Sequence, residues 1–522
     1  MGPEAKAKSE KMPTDAEEAS AALRFIGAFD RLRKLAGNPS IDMLLKHVPG
    51  VPRATLHNAI SGTRKSLADW PIFGPLIRLC IDISRDHGIG NVGTEDEWLD
   101  YWRAAIDGII IPSPLESVET REKARKAEER AKVLSGTGVI QTLRAIYPNY
   151  PPVELWGIRH PICEFPAMSS EWKNPESAVG ELFDGRVPRE DEYSTDFDPG
   201  GGADAFAAYV ERFRKASAED RRHFFPGATY ALHQMRFDSQ GRVAIDCAMG
   251  RYFTSLATSE DLDTEMMEAV AASSGRAVAL SDLPRRSWLH RYVGDPVVDG
   301  QRRAAAVSHA TVVMSAVKGG GYDIILPVRS RDVATHANFN HVAPSGIFAP
   351  YDETSPSPER EFSVRRNFYR EWVEELYAVE EHEHPAYSVV IPDPEDEPEI
   401  IRLKGLLSSK QGHLKYTGVS FNLLTMRPEI CLALLIDDPE WFREEDRIAR
   451  GTGRPFKLGW EYEQSVWEGP KVSGRPGQLR IPLNADLQPT DGSLLRPSFL
   501  IPNAAAVISL AIKMLKSQVQ PQ

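Results

Sequence analysis

Residues Arg370-Glu371-Trp372-Val373-Glu374-Glu375-Leu376 read REWVEEL. On a helix, Glu371, Glu374 and Glu375 stand at i, i+3 and i+4 and share one face. Phe368, Trp372, Leu376 and Val379 fall on the opposite side, which predicts that they face a core. Three carboxylates this close repel one another unless a cation or an arginine neutralises them. Oxygen ligands of this kind suit Mg²⁺, which keeps several waters and is held by carboxylates together with substrate phosphates. A solvated acidic face is the plainer reading, and the flanking sequence weighs against it.

Upstream lies a β-type run, YDIILPVRSRDVA, followed by HVAPSGIF. Downstream, beyond an insertion, lies YTGVSFNLLTMRPEICLALLIDD, a second β-type pair. Strand, Pro-Ser-Gly turn, loop and a helix carrying REWVEEL resemble the Nudix superfamily over about 130 residues, Ser308 to Asp438. The resemblance implies that Arg370 orients a glutamate and that Glu371, Glu374 and Glu375 bind Mg²⁺. If the site is active, Glu374 and Glu375 are its catalytic residues. The frame around this core departs from the family. Its two box glycines fall on Pro356 and Tyr377, and its first box glutamate on Phe362, with Glu361 beside it. Lost glycines change how closely backbone can approach a diphosphate, which favours ligand binding without turnover. Glu429, in RPEI, is a further candidate base, against the alternative of a buried, hydrogen-bonded strand carboxylate. Gly319-Gly320-Gly321 lies between two β-type runs and reads as a hairpin turn rather than a phosphate cradle. His382 and His384 read as loop histidines.

The chain of 522 residues is too long for one ordinary domain, and 62 Lys+Arg against 74 Asp+Glu gives a net charge of −12. Such a protein does not bind polyanions over its whole surface, so any nucleic-acid contact must come from a local basic patch. Cys80, Cys163, Cys247 and Cys431 are scattered without a CxxC, which predicts buried reduced thiols of a cytoplasmic protein. The amino terminus has no apolar core of a secretory signal, and no run of about 18 apolar residues spans a membrane.

The basic patch is found near the amino terminus. From Arg24 to Arg85 there are ten Lys/Arg and four Asp/Glu, a local +6. Helical periodicity runs through Leu23, Ile26, Phe29, Leu32 and Leu35. Gly37-Asn38-Pro39 then stops the helix, and Ser40 can cap the next. In VPRATLHNAISGTRKS, Leu56 and Ile60 can face a core. Arg53, Thr55, His57, Asn58, Ser61 and Arg64 point elsewhere, and these are types that read base edges and grip phosphates. A small helical bundle for protein contacts, including a homodimer, is the alternative. The order helix, turn, helix, PRATLHNAISG, IRLC and EDEWLDYWRAA resembles bacterial helix-turn-helix regulators of the repressor/Cro type over about 85 residues. That resemblance places Arg53, Thr55, His57 and Asn58 in the major groove.

The expected fold is multi-domain, an all-α helix-turn-helix domain followed by a larger α+β Nudix-like domain. Its expected parts are a disordered tail (1–20), the DNA-binding domain (21–110), a charged helical linker (111–140) and the large domain (141–522), with its core at about 308–438. The function expected is a DNA-binding transcriptional regulator that senses a nucleotide-like metabolite. The rival is a Mg²⁺-dependent hydrolase of nucleoside diphosphate derivatives.

Overall fold

The structure is a computed structural model. It describes residues 22–60, 69–107, 128–167, 179–184, 228–330, 339–350, 361–377, 394–439, 458–462 and 480–519, apart from a few positions inside these ranges, and isolated residues between them. The chain divides into two compact units. One comprises Met1–Arg125 with Glu463–Gly477, and the other Lys126–Tyr462 with Gln478–Gln522.

In the first unit the described helices are α1 (Ile41–Leu45), α2 (Arg53–Ile60), α3 (Trp70–Asp86) and α4 (Glu95–Ile106). Ser40 caps α1 as its position predicts, its hydroxyl accepting from the Met43 N–H at 3.3 Å. Thr94 and Glu97 close a reciprocal capping box at the start of α4. Phe25, Phe29, Leu32, Leu44, Leu56, Phe73, Trp98 and Tyr101 form one apolar core.

The second unit opens with α5 (Gly138–Ile146), a small hairpin of β1 (Glu154–Leu155) and β2 (Ile158–Arg159), and β3 (Ile162–Pro166). A three-stranded sheet follows from β4 (Val179–Asp184), β5 (Ala228–Phe237) and β6 (Val243–Arg251), in the order β4-β6-β5. Helices α6 (Tyr252–Ala272) and α7 (Pro284–Val293) come next. The remaining elements are β7 (Ser308–Ala316), β8 (Tyr322–Ile325), β9 (Ser345–Ile347), α8 (Val364–Tyr377), α9 (Pro398–Ser408), β10 (Gly412–Asn422), β11 (Arg427–Ile436), β12 (Arg480–Leu483) and α10 (Pro502–Val519). The main sheet has the order β12-β8-β7-β11-β10-β3, with β9 added to β7. Its β7–β11 pair is parallel, from Glu429 opposite Ser308 to Ile436 opposite Ser315, and its other pairs are antiparallel.

Both faces of this sheet are covered. Ala310, Val312, Met314, Cys431, Ala433 and Leu435 pack on Ala504, Ala505, Val507, Ile508 and Ala511 of α10. His309 alternates with Ala310, so it points to the other face, and there it meets Asn367 and Arg370 of α8. Burial on two sides explains why β7 and β11 read as near-continuous apolar runs. The Gly319-Gly320-Gly321 turn connects β7 to antiparallel β8, and all three glycines have positive φ, 99°, 100° and 93°. The four cysteines are free and buried. Among the described residues no helix is long and apolar enough to cross a membrane.

The expected fold class is corrected here. The described chain is a mixed α/β structure built on a mixed sheet, not an all-α helix-turn-helix domain followed by an α+β domain. Two parallel strands need a long crossover between them, and hydrophobic periodicity says nothing about which distant run lies alongside. A helix-turn-helix domain is not established either. Residues 61–68, which contain Ser61, Arg64 and the end of the expected reading segment, lie outside the described residues. The expected linker falls across the border between the two units, and half of it lies outside the described residues. The acidic stretch 393–399 reads from sequence as an exposed insertion. In the structure Pro398 and Glu399 already belong to α9, and Glu399 is buried.

Candidate functional site around the REWVEEL helix

Ser363 starts α8, its hydroxyl accepting from the Arg366 N–H at 3.3 Å. Phe368, Trp372 and Leu376 are fully buried, as the helical spacing predicts, and Val379 lies outside the described residues. The carboxylate face is not solvated. Glu371 is 8% exposed and Glu375 3%, so two of the three acidic groups lie in the protein interior. A buried carboxylate needs donors or a counter-charge, and this fold supplies both.

Strand β9 supplies the first set. The Ser345 N–H donates to Glu375 Oε2 at 2.7 Å, and the Tyr462 hydroxyl donates to the same oxygen at 2.9 Å. Next to Ser345, Gly346 lies directly against Glu371. A Cβ there would stand 2.2 Å from the Glu371 carboxyl carbon, so this close approach requires glycine. Arg370 supplies the second set. Its Nη2 donates to Glu371 Oε1 at 3.0 Å and to the Ile347 carbonyl at 3.3 Å, and its Nη1 to the Ala349 carbonyl at 3.4 Å. Its Nε is 3.9 Å from Glu374 Oε1. Arg370 therefore ties two glutamates of α8 to the strand beside them. Close by, burial and then the charge of Arg370 push the buried His309 down to about 3, which keeps its imidazole neutral.

The structure thus brings Arg370, Glu371 and Glu374 together and turns Glu375 toward Ser345 and Tyr462. Among the described residues no group of three His, Cys, Asp or Glu side chains is placed to hold a metal ion. Protein donors engage one oxygen of Glu371 and one oxygen of Glu375. The frame positions differ in the same direction. Phe362, where the first box glutamate is expected, packs in an aromatic cluster with Tyr230 at 4.8 Å and Phe348 at 5.2 Å between ring centroids. Tyr377 is buried beside Trp372, and Pro356 lies outside the described residues, as do His382 and His384.

Glu429 is 3% exposed on β11, and its Oε1 accepts from the Ser308 hydroxyl at 3.2 Å. Burial pushes its carboxyl up to about 7, against the opposing effects of Asn503, Ser308 and Arg427. It is a strand carboxylate in a buried polar row across the sheet and not part of the α8 site.

On α2, Leu56 is buried, while Arg53 and His57 are exposed and Thr55 is half-buried. Arg53 pairs with the exposed Asp42 of α1. The side chains of Asn58 and Ile60, and all of Ser61 and Arg64, lie outside the described residues. Sequence reasoning overlooks Ser345, Gly346, His309 and Tyr462. The Pro-Ser-Gly sequence singles out the first two, although they form strand β9 rather than a turn, whereas Tyr462 has no local signal. No family model matches the chain, and no curated protein is similar to it in sequence.

Proposed function

We propose that the protein is a ligand-responsive DNA-binding regulator of the cytoplasm, and that the α8 carboxylates serve its architecture rather than hydrolysis. One observation carries the DNA reading. Helix α2 buries Leu56 in the core of the first unit and presents Arg53 and His57 to solvent, within a stretch whose local charge is +6 in a chain of −12. A cationic stretch that grips phosphates gives the salt-dependent affinity expected of a DNA binder. The engagement of Glu371 and Glu375 by Arg370, Ser345 and Tyr462 supports a sensor over a Mg²⁺-dependent hydrolase. A nucleotide-like ligand acts by preferring one of two states of the protein, since a ligand that binds both equally shifts nothing.

The test is a salt titration of DNA binding by the full chain, with and without nucleoside diphosphates. Arg53→Glu combined with Arg64→Glu is expected to weaken binding and to lower the salt slope by about one unit for each phosphate the protein no longer grips. Absence of salt-dependent DNA binding under every ligand condition refutes the regulator. Turnover of a nucleoside diphosphate derivative above about 1 s⁻¹, abolished by Glu374→Gln, reinstates the hydrolase.

A further inference from the structure

A groove of about 340 Å³ opens in the second unit where α8, α9 and the start of β10 meet. Its basic lining comes from three separate elements: Arg365 of α8, Lys404 of α9, and His413 and Lys415 of β10. None of its nine lining residues is acidic, in a protein whose net charge is −12. Arg365 and Lys415 are exposed, and Lys404 is half-buried. Two of the basic groups are positioned by carboxylates outside the lining. Lys404 Nζ donates to Glu395 Oε2 at 2.5 Å and sits 5.6 Å above the Tyr369 ring, and His413 Nε2 is 3.2 Å from Asp437 Oδ2.

A second observation concerns the backbone. Along β10, β11 pairs with Gly412 through Asn422, but β3 pairs only with Gly418 through Asn422. Among the described residues, Gly412–Lys415 therefore has no strand paired on its other side. A strand edge of this kind presents main-chain N–H and C=O groups, and here it runs along the basic lining. Leu407 and Leu414 add an apolar wall, and Ser408 a hydroxyl.

We propose that this groove is the binding site for a small phosphorylated metabolite, with the diphosphate or phosphate on Arg365, Lys404 and Lys415 and the organic portion on Leu407 and Leu414. Lysine ammonium groups hold phosphate as point charges, and a guanidinium adds a fork of donors. The volume lies at the small end of the usual range for ligand pockets, about 300–1,000 Å³, which suits one compact molecule rather than a polymer. The site is distinct from the Glu371–Glu375 carboxylates, which face β9 and Tyr462. Its role as the regulatory ligand site rests on the sensor reading above, but binding itself does not.

The experiment is isothermal titration of the full chain with pyrophosphate, ADP and adenosine, without DNA and without divalent metal. Pyrophosphate and ADP are expected to bind, ADP more tightly, and adenosine not. Lys415→Glu and Arg365→Glu, both at exposed positions, should each weaken binding about tenfold or more, while Lys410→Glu, exposed but outside the lining, should not. Binding that survives both lining variants, or no binding of either phosphate compound by about 10 mM, overturns the assignment. The same titrations repeated with DNA present separate the two claims. Phosphate binding that leaves DNA affinity unchanged upholds the groove and removes its regulatory role. DNA binding by a protein that takes up no phosphate compound removes the groove alone.

Discussion

Changing Glu429 to Gln should make the protein more stable at alkaline pH and change little at acidic pH. The carboxyl is 3% exposed, and its ordinary value of 4.5 is raised to about 7, with burial as the largest cause. The folded protein therefore keeps a proton on Glu429 between about 4.5 and 7, where the unfolded chain has lost it. A state that binds more protons loses ground as pH rises. The stability contribution of this group thus falls across that window, and above about pH 7 the folded state carries an ionised, buried carboxylate. At about 1.36 kcal/mol per pH unit the full cost is on the order of 3 kcal/mol. Glutamine keeps the shape, accepts from the Ser308 hydroxyl and carries no charge. Urea unfolding of both proteins, followed by circular dichroism from pH 5 to pH 8, measures the difference. The variant should gain on the wild type as pH rises, reaching roughly 3 kcal/mol near pH 8. The buried histidines His160, His309 and His341, all held well below their ordinary range by burial, destabilise the fold as pH falls. They do so in both proteins and cancel from the difference. A difference that is flat with pH, or that grows in favour of the wild type at high pH, refutes the argument.

Leu376→Ala, at a fully buried position of α8, should cost about 2–5 kcal/mol in urea unfolding; a loss well under about 1 kcal/mol would mean the helix is not packed on its core. Gly346→Ala should cost about 1–3 kcal/mol, because the added methyl meets the Glu371 carboxylate. An unchanged melting temperature would show that this contact yields freely. Tyr462→Phe should cost about 1.5–3 kcal/mol by removing a hydrogen bond to a buried carboxylate. A neutral result would assign Glu375 to the Ser345 N–H alone.

The strands at β7, β8, β10 and β11 and the buried side of α8 are legible in the sequence, because each is set by its own pattern of apolar residues. The sheet order is not. Glu429 and Ser308 sit side by side in a parallel pair although more than a hundred residues separate them, and no local pattern encodes that neighbour. Buried charge is equally opaque. Arg286 is fully buried, its guanidinium donating to the carbonyls of Leu262 and Leu423 at 3.1 and 2.8 Å. An arginine enters a core only where unpaired carbonyls await it, and those carbonyls belong to other elements.

The three glutamates of α8 show the same limit at the site itself. Their spacing permits two readings, a solvated face or a metal cluster, and both assume that the carboxylates look outward for their partners. The structure holds a third arrangement in which the partners come from inside the fold. Strand β9, which lies where the sequence suggests a turn, brings the Ser345 N–H to Glu375 and, through the missing side chain of Gly346, leaves room for Glu371. Arg370, which a motif reading treats as an aid to metal binding, ties the helix to the strand through two carbonyls as well as to Glu371. Donors of this kind lower the cost of burying a carboxylate. The outward-facing cations Arg365, Lys404 and Lys415 lie elsewhere, along α8, α9 and β10. The helix that gives the sequence its most conspicuous motif thus contributes carboxylates to the interior and, through Arg365, a basic residue to the surface groove.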